Sequence, residues 1–317
     1  MNKKYWIFLV IGLFLIAAAV TWNRSKGADA VVTKTDKPVV SVTTFTLYET
    51  SKAVAGESLD VRPIIPLGTD AHMFSPNPRQ VAEISESAFF VFNGAGFEPW
   101  TDALEETLPK EVRVIDMSAH VDLLSEEEGD HDHEEGHAHA HGAYDPHYWL
   151  DIENMIKMTR TIETAFSERF PENAGLYRQN AQKYIAELEA LKREYAAALS
   201  ECKNRILVSN HDAFGYLAHA NGLENVSVIG LSSDEQPSAK NIAEIIALVK
   251  EHGIKTIFFE EFINDNVAQT IAGECGVEAH SLQPLENISE DELKSHETYL
   301  SIMRNNLSKL KAAMECR

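Results

Sequence analysis

Short apolar or β-branched runs alternate with stretches of helical period along most of this chain. Residues 38–46 (PVVSVTTFT) are rich in β-branched side chains and read as a strand, and a helical segment follows to about Gly56. Residues 61–65 form a second short strand and 79–87 a helix. Residues 88–93 (AFFVFN) are the almost wholly apolar kind of strand that is buried in a parallel sheet. Gly94-Ala95-Gly96 breaks that run, a helix follows over about 98–108, and residues 112–116 supply a fourth strand. Strands and helices in this alternation predict an α/β lobe built on a parallel sheet.

The pattern then turns helical from 152 to about 170, is interrupted by Pro171, and resumes over 172–201. In that second stretch Tyr177, Ala181, Tyr184, Ile185, Leu188, Leu191, Tyr195 and Leu199 keep close to a 3.6-residue period. About thirty helical residues reach roughly 45 Å, more than one lobe needs, so this helix is expected to be a stiff connector. The bland alternative is the edge of a helical bundle, which the immediate return of strands disfavours. Strands are expected at 205–210, 226–231, 256–260 and 278–282, with helices near 213–220, 238–252 and 265–273 between them. A last amphipathic helix covers 297–316. The expected fold is therefore α/β: an N-terminal lobe over 38–171, a linker helix over 172–201 and a C-terminal lobe over 202–317. Each lobe carries a four-stranded parallel sheet flanked by helices.

Two segments do not fit this scheme. Residues 1–30 begin with Lys3 and Lys4, continue with an apolar run over 5–22, and end in Ala28-Asp29-Ala30, a small-x-small pattern of the signal-peptidase type. They read as a signal peptide or as an uncleaved membrane anchor, since the run is just long enough to span a bilayer. Either way the remainder is exported to the periplasm or cell surface, and membrane contact is confined to this segment. The second misfit is the loop 126–143, where His131, His133, His137, His139 and His141 are interleaved with carboxylates, Gly and Ala. It is too polar for a core and has neither helical nor strand periodicity. Imidazole is a common ligand for zinc and its neighbours, so the loop reads as a metal-handling segment, either the site itself or a feature that serves one, rather than as an acidic coil or a tag.

The net charge of −21 argues against a nucleic-acid partner and suits solubility and cations. Three cysteines, Cys202, Cys275 and Cys316, lie outside any CxxC pattern, so thiolate zinc coordination is not expected. None is near the apolar N-terminal run, which excludes a lipid-modified cysteine as the tether there. In an exported chain one pair should oxidise. Cys202 with Cys316 is the favoured pairing, tying the C-terminus to the start of the second lobe.

Ligands of parallel α/β sheets gather beyond the carboxyl ends of the strands. That rule singles out His72 after the second strand, His147 after the fourth strand and its loop, and His211 directly after the fifth. Glu260 ends the seventh strand and Gln283 follows the eighth. Two histidines from one lobe and one from the other would share a cation in the gap between them. A lone histidine at a strand end is usually an ordinary polar residue; three placed by one rule beside a His-rich loop are not. His120, His219, His252, His280 and His296 show no such pattern.

At these residues the chain resembles the zinc- and manganese-binding solute receptors of ABC importers, and within them the zinc-uptake branch. The resemblance is carried by GTDAHMFSP (68–76), DPHYWLD (145–151), SNHDAFGYL (209–217), GLSSDEQPS (230–238) and IFFE (257–260). It implies the two-lobe, helix-linked fold, metal ligation by His72, His147 and His211 with the His-rich loop 126–143 as an accessory collector, and delivery of the ion to an ABC transporter permease by a monomeric receptor that is not an enzyme. Two departures bear on the metal. Gln283-Pro284-Leu285 stands where the family usually has Asp-Pro-Leu, so the fourth ligand is open among water, the Gln283 amide and Glu260. His211 stands where manganese members carry a carboxylate. Both changes move the donor set from hard oxygen toward imidazole, favouring Zn2+ over Mn2+. Neutral imidazoles must be deprotonated to bind, so affinity is expected to collapse as pH falls toward about 5–6. The alternatives are a manganese receptor of the same fold, a zinc-dependent hydrolase using a three-His site, and an adhesion or storage protein that uses only the surface. The hydrolase lacks an HExxH or Gly-x-Ser-x-Gly motif and any evident general base besides Glu260.

Overall fold

The computed structural model describes residues 37–125, 144–231, 237–260 and 266–317. The expected leader or anchor over 1–30 and the His-rich loop over 126–143 lie outside the described residues. β1 Val39–Val42, α1 Phe45–Ala55, β2 Asp60–Pro63, α2 Pro78–Ser85, β3 Phe89–Phe92, α3 Thr101–Glu105 and β4 Arg113–Asp116 form the first sheet and its helices. A 3-10 turn at Tyr148–Leu150 leads into α4 Ile152–Arg169, and α5 Ala174–Ala198 crosses to the second half. There β5 Ile206–Ser209, α6 Gly215–Asn221, β6 Glu224–Ser227, α7 Ala239–His252, β7 Thr256–Phe259, α8 Asn266–Cys275 and β8 Glu278–Ser281 repeat the alternation. α9 Glu290–Lys294 and α10 Tyr299–Ala313 complete the chain.

Each half carries a four-stranded sheet, ordered β2-β1-β3-β4 and β6-β5-β7-β8, and every pairing is parallel. In both sheets the first strand sits inside and the chain winds first to one side of it, then to the other. The connections diverge where the winding reverses, leaving a crevice beyond the carboxyl ends of the strands. β3 is buried along its whole length, as an all-apolar strand requires.

The linker helix is shorter than its sequence period suggests. Pro171–Asn173 forms a separate 3-10 turn, and the α-helix proper ends at Ala198 with Leu199 as its cap, about 37 Å of helix rather than 45 Å. Its buried face is Tyr177, Ala181, Tyr184, Leu188, Leu191 and Tyr195, the stripe the 3.6 period selects. The helix links the sheets and also lies in a helical layer with α4, α1 and α10. A single apolar core runs through that layer, joining Val40, Phe89 and Ile162 of the first half to Leu207, Phe258 and Tyr299 of the second. The crevice therefore sits on a shared, close-packed frame.

Two further boundaries moved. The apolar run 226–231 is strand only to Ser227, because β6 is an edge strand and the chain after it folds over the end of β5. The C-terminal helix begins at Tyr299, after the separate short helix α9, which Ser289 and Glu292 open with a reciprocal capping box. Cys202 and Cys316 form the expected disulfide, and Cys275 is free. No helix among the described residues is long and apolar enough to cross a membrane.

Candidate metal centre

β2 is followed by the turn Pro66-Leu67-Gly68-Thr69, in which Thr69 N donates to Pro66 O at 3.3 Å. Gly68 adopts φ +69°, a left-handed backbone that glycine takes without steric cost. Asp70 Oδ1 then accepts from His72 N at 3.0 Å, setting the direction of the His72 loop. Asp145 does the same for His147: its Oδ1 accepts from His147 N at 2.9 Å and also lies 2.8 Å from His147 Nδ1. His211 follows β5 directly, and the chain after β6 closes over it through Ile229 N to Asn210 O at 3.0 Å and Asp212 N to Gly230 O at 3.2 Å. Its Nδ1 lies 2.6 Å from Glu260 Oε1, and its Nε2 lies 2.9 Å from the Leu231 carbonyl.

These three imidazoles meet. Ring centroids are 5.3 Å apart for His72 and His147, 5.3 Å for His72 and His211, and 5.1 Å for His147 and His211. A fourth side chain joins them. Glu286 Oε1 is 3.2 Å from His72 Nε2 and 3.2 Å from His147 Nε2, which are themselves 3.3 Å apart. One ligand atom from each of His72, His147, His211 and Glu286 lies within 4.8 Å of every other, the spacing of donors around one cation. Phe97 packs edge-on against His72 with centroids 4.6 Å apart, and Trp149 against His147 at 5.4 Å, so the inner wall is apolar. Glu98 holds the turn that presents Phe97, its carboxylate accepting from Thr43 Oγ1, Asn93 N and Gly94 N. Burial raises the Glu98 carboxyl to about 7 despite those donors.

The electrostatics suit a positive guest. Burial disfavours charge on His147, but the hydrogen bonds and charges of Asp145 and Glu286 outweigh it and raise the imidazole to about 10. For His211 burial again opposes the proton, and Glu260 beside it prevails, raising the group to about 9. Glu286 is buried, which favours its neutral form, yet the adjacent His72 and His147 hold it well below the usual carboxylate range. The pocket thus gathers positive charge around a buried anion, and a divalent cation would displace protons to enter.

The sequence of the chain matches over residues 40–313 the family described as ZnuA, zinc-uptake complex component A, periplasmic. The chain belongs to the ZnuA family. Among its relatives, the zinc-binding lipoprotein AdcA of Streptococcus pneumoniae is 38% identical over 303 residues, covering 94% of this chain and 58% of AdcA. The chain thus spans under two thirds of AdcA's length. The high-affinity zinc uptake system protein ZnuA of Bacillus subtilis is 35% identical over 316 residues, covering 98% of both chains. The crystal structure of the Zn(II)-bound ZnuA-like domain of Streptococcus pneumoniae AdcA superposes with a TM-score of 0.74 at 34% identity, over 88% of this chain and 99% of that domain.

Within this ZnuA-family fold the strand-end rule brings His72, His147 and His211 together, while Glu260 and Gln283 lie outside the four-membered cluster. Glu260 stands behind His211 on its Nδ1 side. The Gln283 amide accepts from Leu285 N at 3.2 Å and donates to Glu292 at 3.3 Å. The carboxylate that sequence reasoning missed is Glu286, three residues beyond the family's usual Asp position. Leu285 takes φ +64° there, an uncommon conformation for a non-glycine residue, and Glu286 after it is buried. A glutamate flanked by Pro284-Leu285 and Asn287-Ile288 after a strand end was the available signal. His120, His219, His252, His280 and His296 take no part in the cluster.

Proposed function

We propose that this chain is an extracytoplasmic receptor that binds one Zn2+ between its two sheets and passes it to an ABC-type membrane importer. The observation that carries the proposal is the convergence of His72, His147, His211 and Glu286, drawn from both halves of the chain, on one buried point. Three imidazoles and one carboxylate are a donor set for tetrahedral zinc, whereas manganese favours a shell richer in oxygen. Four protein donors also leave no position for the water that a catalytic zinc keeps, which disfavours a hydrolase. The zinc-uptake and zinc-binding names of the relatives point the same way.

In this reading the Nδ1 atoms of His147 and His211 face Asp145 and Glu260, so each ring turns its Nε2 toward the ion. His211 gives up the Leu231 carbonyl to do so. The loop 126–143 collects zinc weakly and raises its local concentration, and the segment 1–30 directs or tethers the chain outside the cytoplasm. Competition titration against a zinc chelator tests the reading. Wild type should hold one tight equivalent, and His211→Ala should lose at least roughly tenfold in affinity, about 1.4 kcal/mol. An unchanged affinity removes His211 from the site.

A further inference from the structure

Glu286 comes from the second half of the chain, yet its segment is bonded to the first. Phe45 N, at the start of α1, donates to Glu286 O at 3.0 Å, and Gly68 N donates to Ile288 O at 2.9 Å. Between these two bonds lies Asn287, 5% exposed. Its Nδ2 donates to Pro66 O at 2.7 Å and to Thr69 O at 2.9 Å, and its Oδ1 accepts from Ile288 N at 2.9 Å. Both amide hydrogens and the amide oxygen are thus engaged, and two carbonyls facing the NH2 group leave a single orientation for the carboxamide. The residues it grips, 66–69, form the turn that launches Asp70 and His72. One side chain therefore ties the backbone next to Glu286 to the backbone that delivers His72.

We propose that Asn287 is a positioning residue for the cation site: it sets the Glu286 carboxylate at its working distance from His72 by clamping the turn 66–69 onto the 286–288 segment. This rests on the reading above that the cluster holds zinc. The consequence is that Glu286, His72 and His147 form one unit anchored on the first half of the chain, and His211 with Glu260 is the contribution of the second. A buried amide of this kind is otherwise a fold-stabilising contact, and the two roles differ in what they couple to. A stabilising contact affects the fold alone. A positioning contact acts on zinc through Glu286 and vanishes once that carboxylate is gone.

The test is a double-mutant cycle in the full chain. Asn287→Asp preserves shape, removes both donors and sets a carboxylate against two carbonyls. Zinc affinity is read by chelator competition, coordination geometry by the visible absorption of the Co2+-loaded protein, and stability by thermal unfolding with chelator present. Asn287→Asp should weaken zinc by about tenfold or more, the scale of outer-shell effects on metal sites, and shift the Co2+ bands. In a Glu286→Gln background the same substitution should cost less than roughly threefold. Asn287→Ser, which keeps one donor, should fall between wild type and Asn287→Asp, and carries the cycle if the latter does not fold. Equal losses in both backgrounds, or a shift in unfolding temperature with zinc affinity and Co2+ bands unmoved, would overturn the positioning role. So would wild-type affinity in Glu286→Gln. Failure of the receptor reading is a separate outcome: wild type itself would then hold no tight zinc.

Discussion

Glu260 Oε1 stands 2.6 Å from His211 Nδ1, and both side chains are buried. Asp145 stands behind His147 in the same way at 2.8 Å, so each half of the chain orients one imidazole with its own carboxylate. Such a carboxylate fixes the tautomer and makes the outward nitrogen a better donor. Glu260→Gln should therefore lower zinc affinity by roughly tenfold to a hundredfold while the chain still folds. Chelator competition and far-ultraviolet circular dichroism check the two halves of that statement. Unchanged zinc affinity would show that Glu260 does not act through His211.

The same charges set a pH dependence. His147 and His211 are raised to about 10 and about 9 from an ordinary 6.5, so the chelator-treated fold binds more protons than the unfolded chain between about 6.5 and 9–10. Their contribution to stability is complete below 6.5 and is lost as pH climbs through that window. Glu286, held low, contributes above its ordinary 4.5 and is lost as pH falls below it. Thermal unfolding in chelator should weaken from pH 6.5 toward 9, while the stabilisation conferred by added zinc grows over the same range as protons leave. Proton competition thus reaches well above the 5–6 range that unperturbed histidines suggest. A chelated unfolding temperature flat from pH 6.5 to 9, in wild type and His147→Ala alike, would contradict it.

Deleting residues 130–141 should leave one tight zinc equivalent, because all four converging donors lie outside that loop. Calorimetry should show the weak sites vanish and the tight one persist. Loss of the tight site with the loop would place the receptor function in the loop instead.

Much of this arrangement was legible in the sequence because it follows from local rules. The apolar run of β3, the 3.6 period of α5 and the recurrence of strand and helix gave two parallel sheets and their connector. The strand-end rule then picked His72, His147 and His211 from thirteen histidines. What escaped depends on contacts between distant segments. Glu286 follows a left-handed Leu285, a local feature, but it is held by Phe45 N from the first half of the chain, a contact that the residues around it do not announce. The early end of β6 reflects its place at a sheet edge, which the apolar run 226–231 does not encode. Pro171 shortened the linker because it opens a 3-10 turn instead of simply interrupting a helix.

A crystal structure of the zinc-loaded chain, with anomalous scattering recorded at the zinc edge, locates the ion and the atoms that hold it. One strong peak is expected about 2.0–2.2 Å from an imidazole nitrogen of each of His72, His147 and His211 and from a Glu286 carboxylate oxygen. A peak held by residues of one half alone, or bound to Gln283 or Glu260 with Glu286 turned away, would rule out the shared four-donor site.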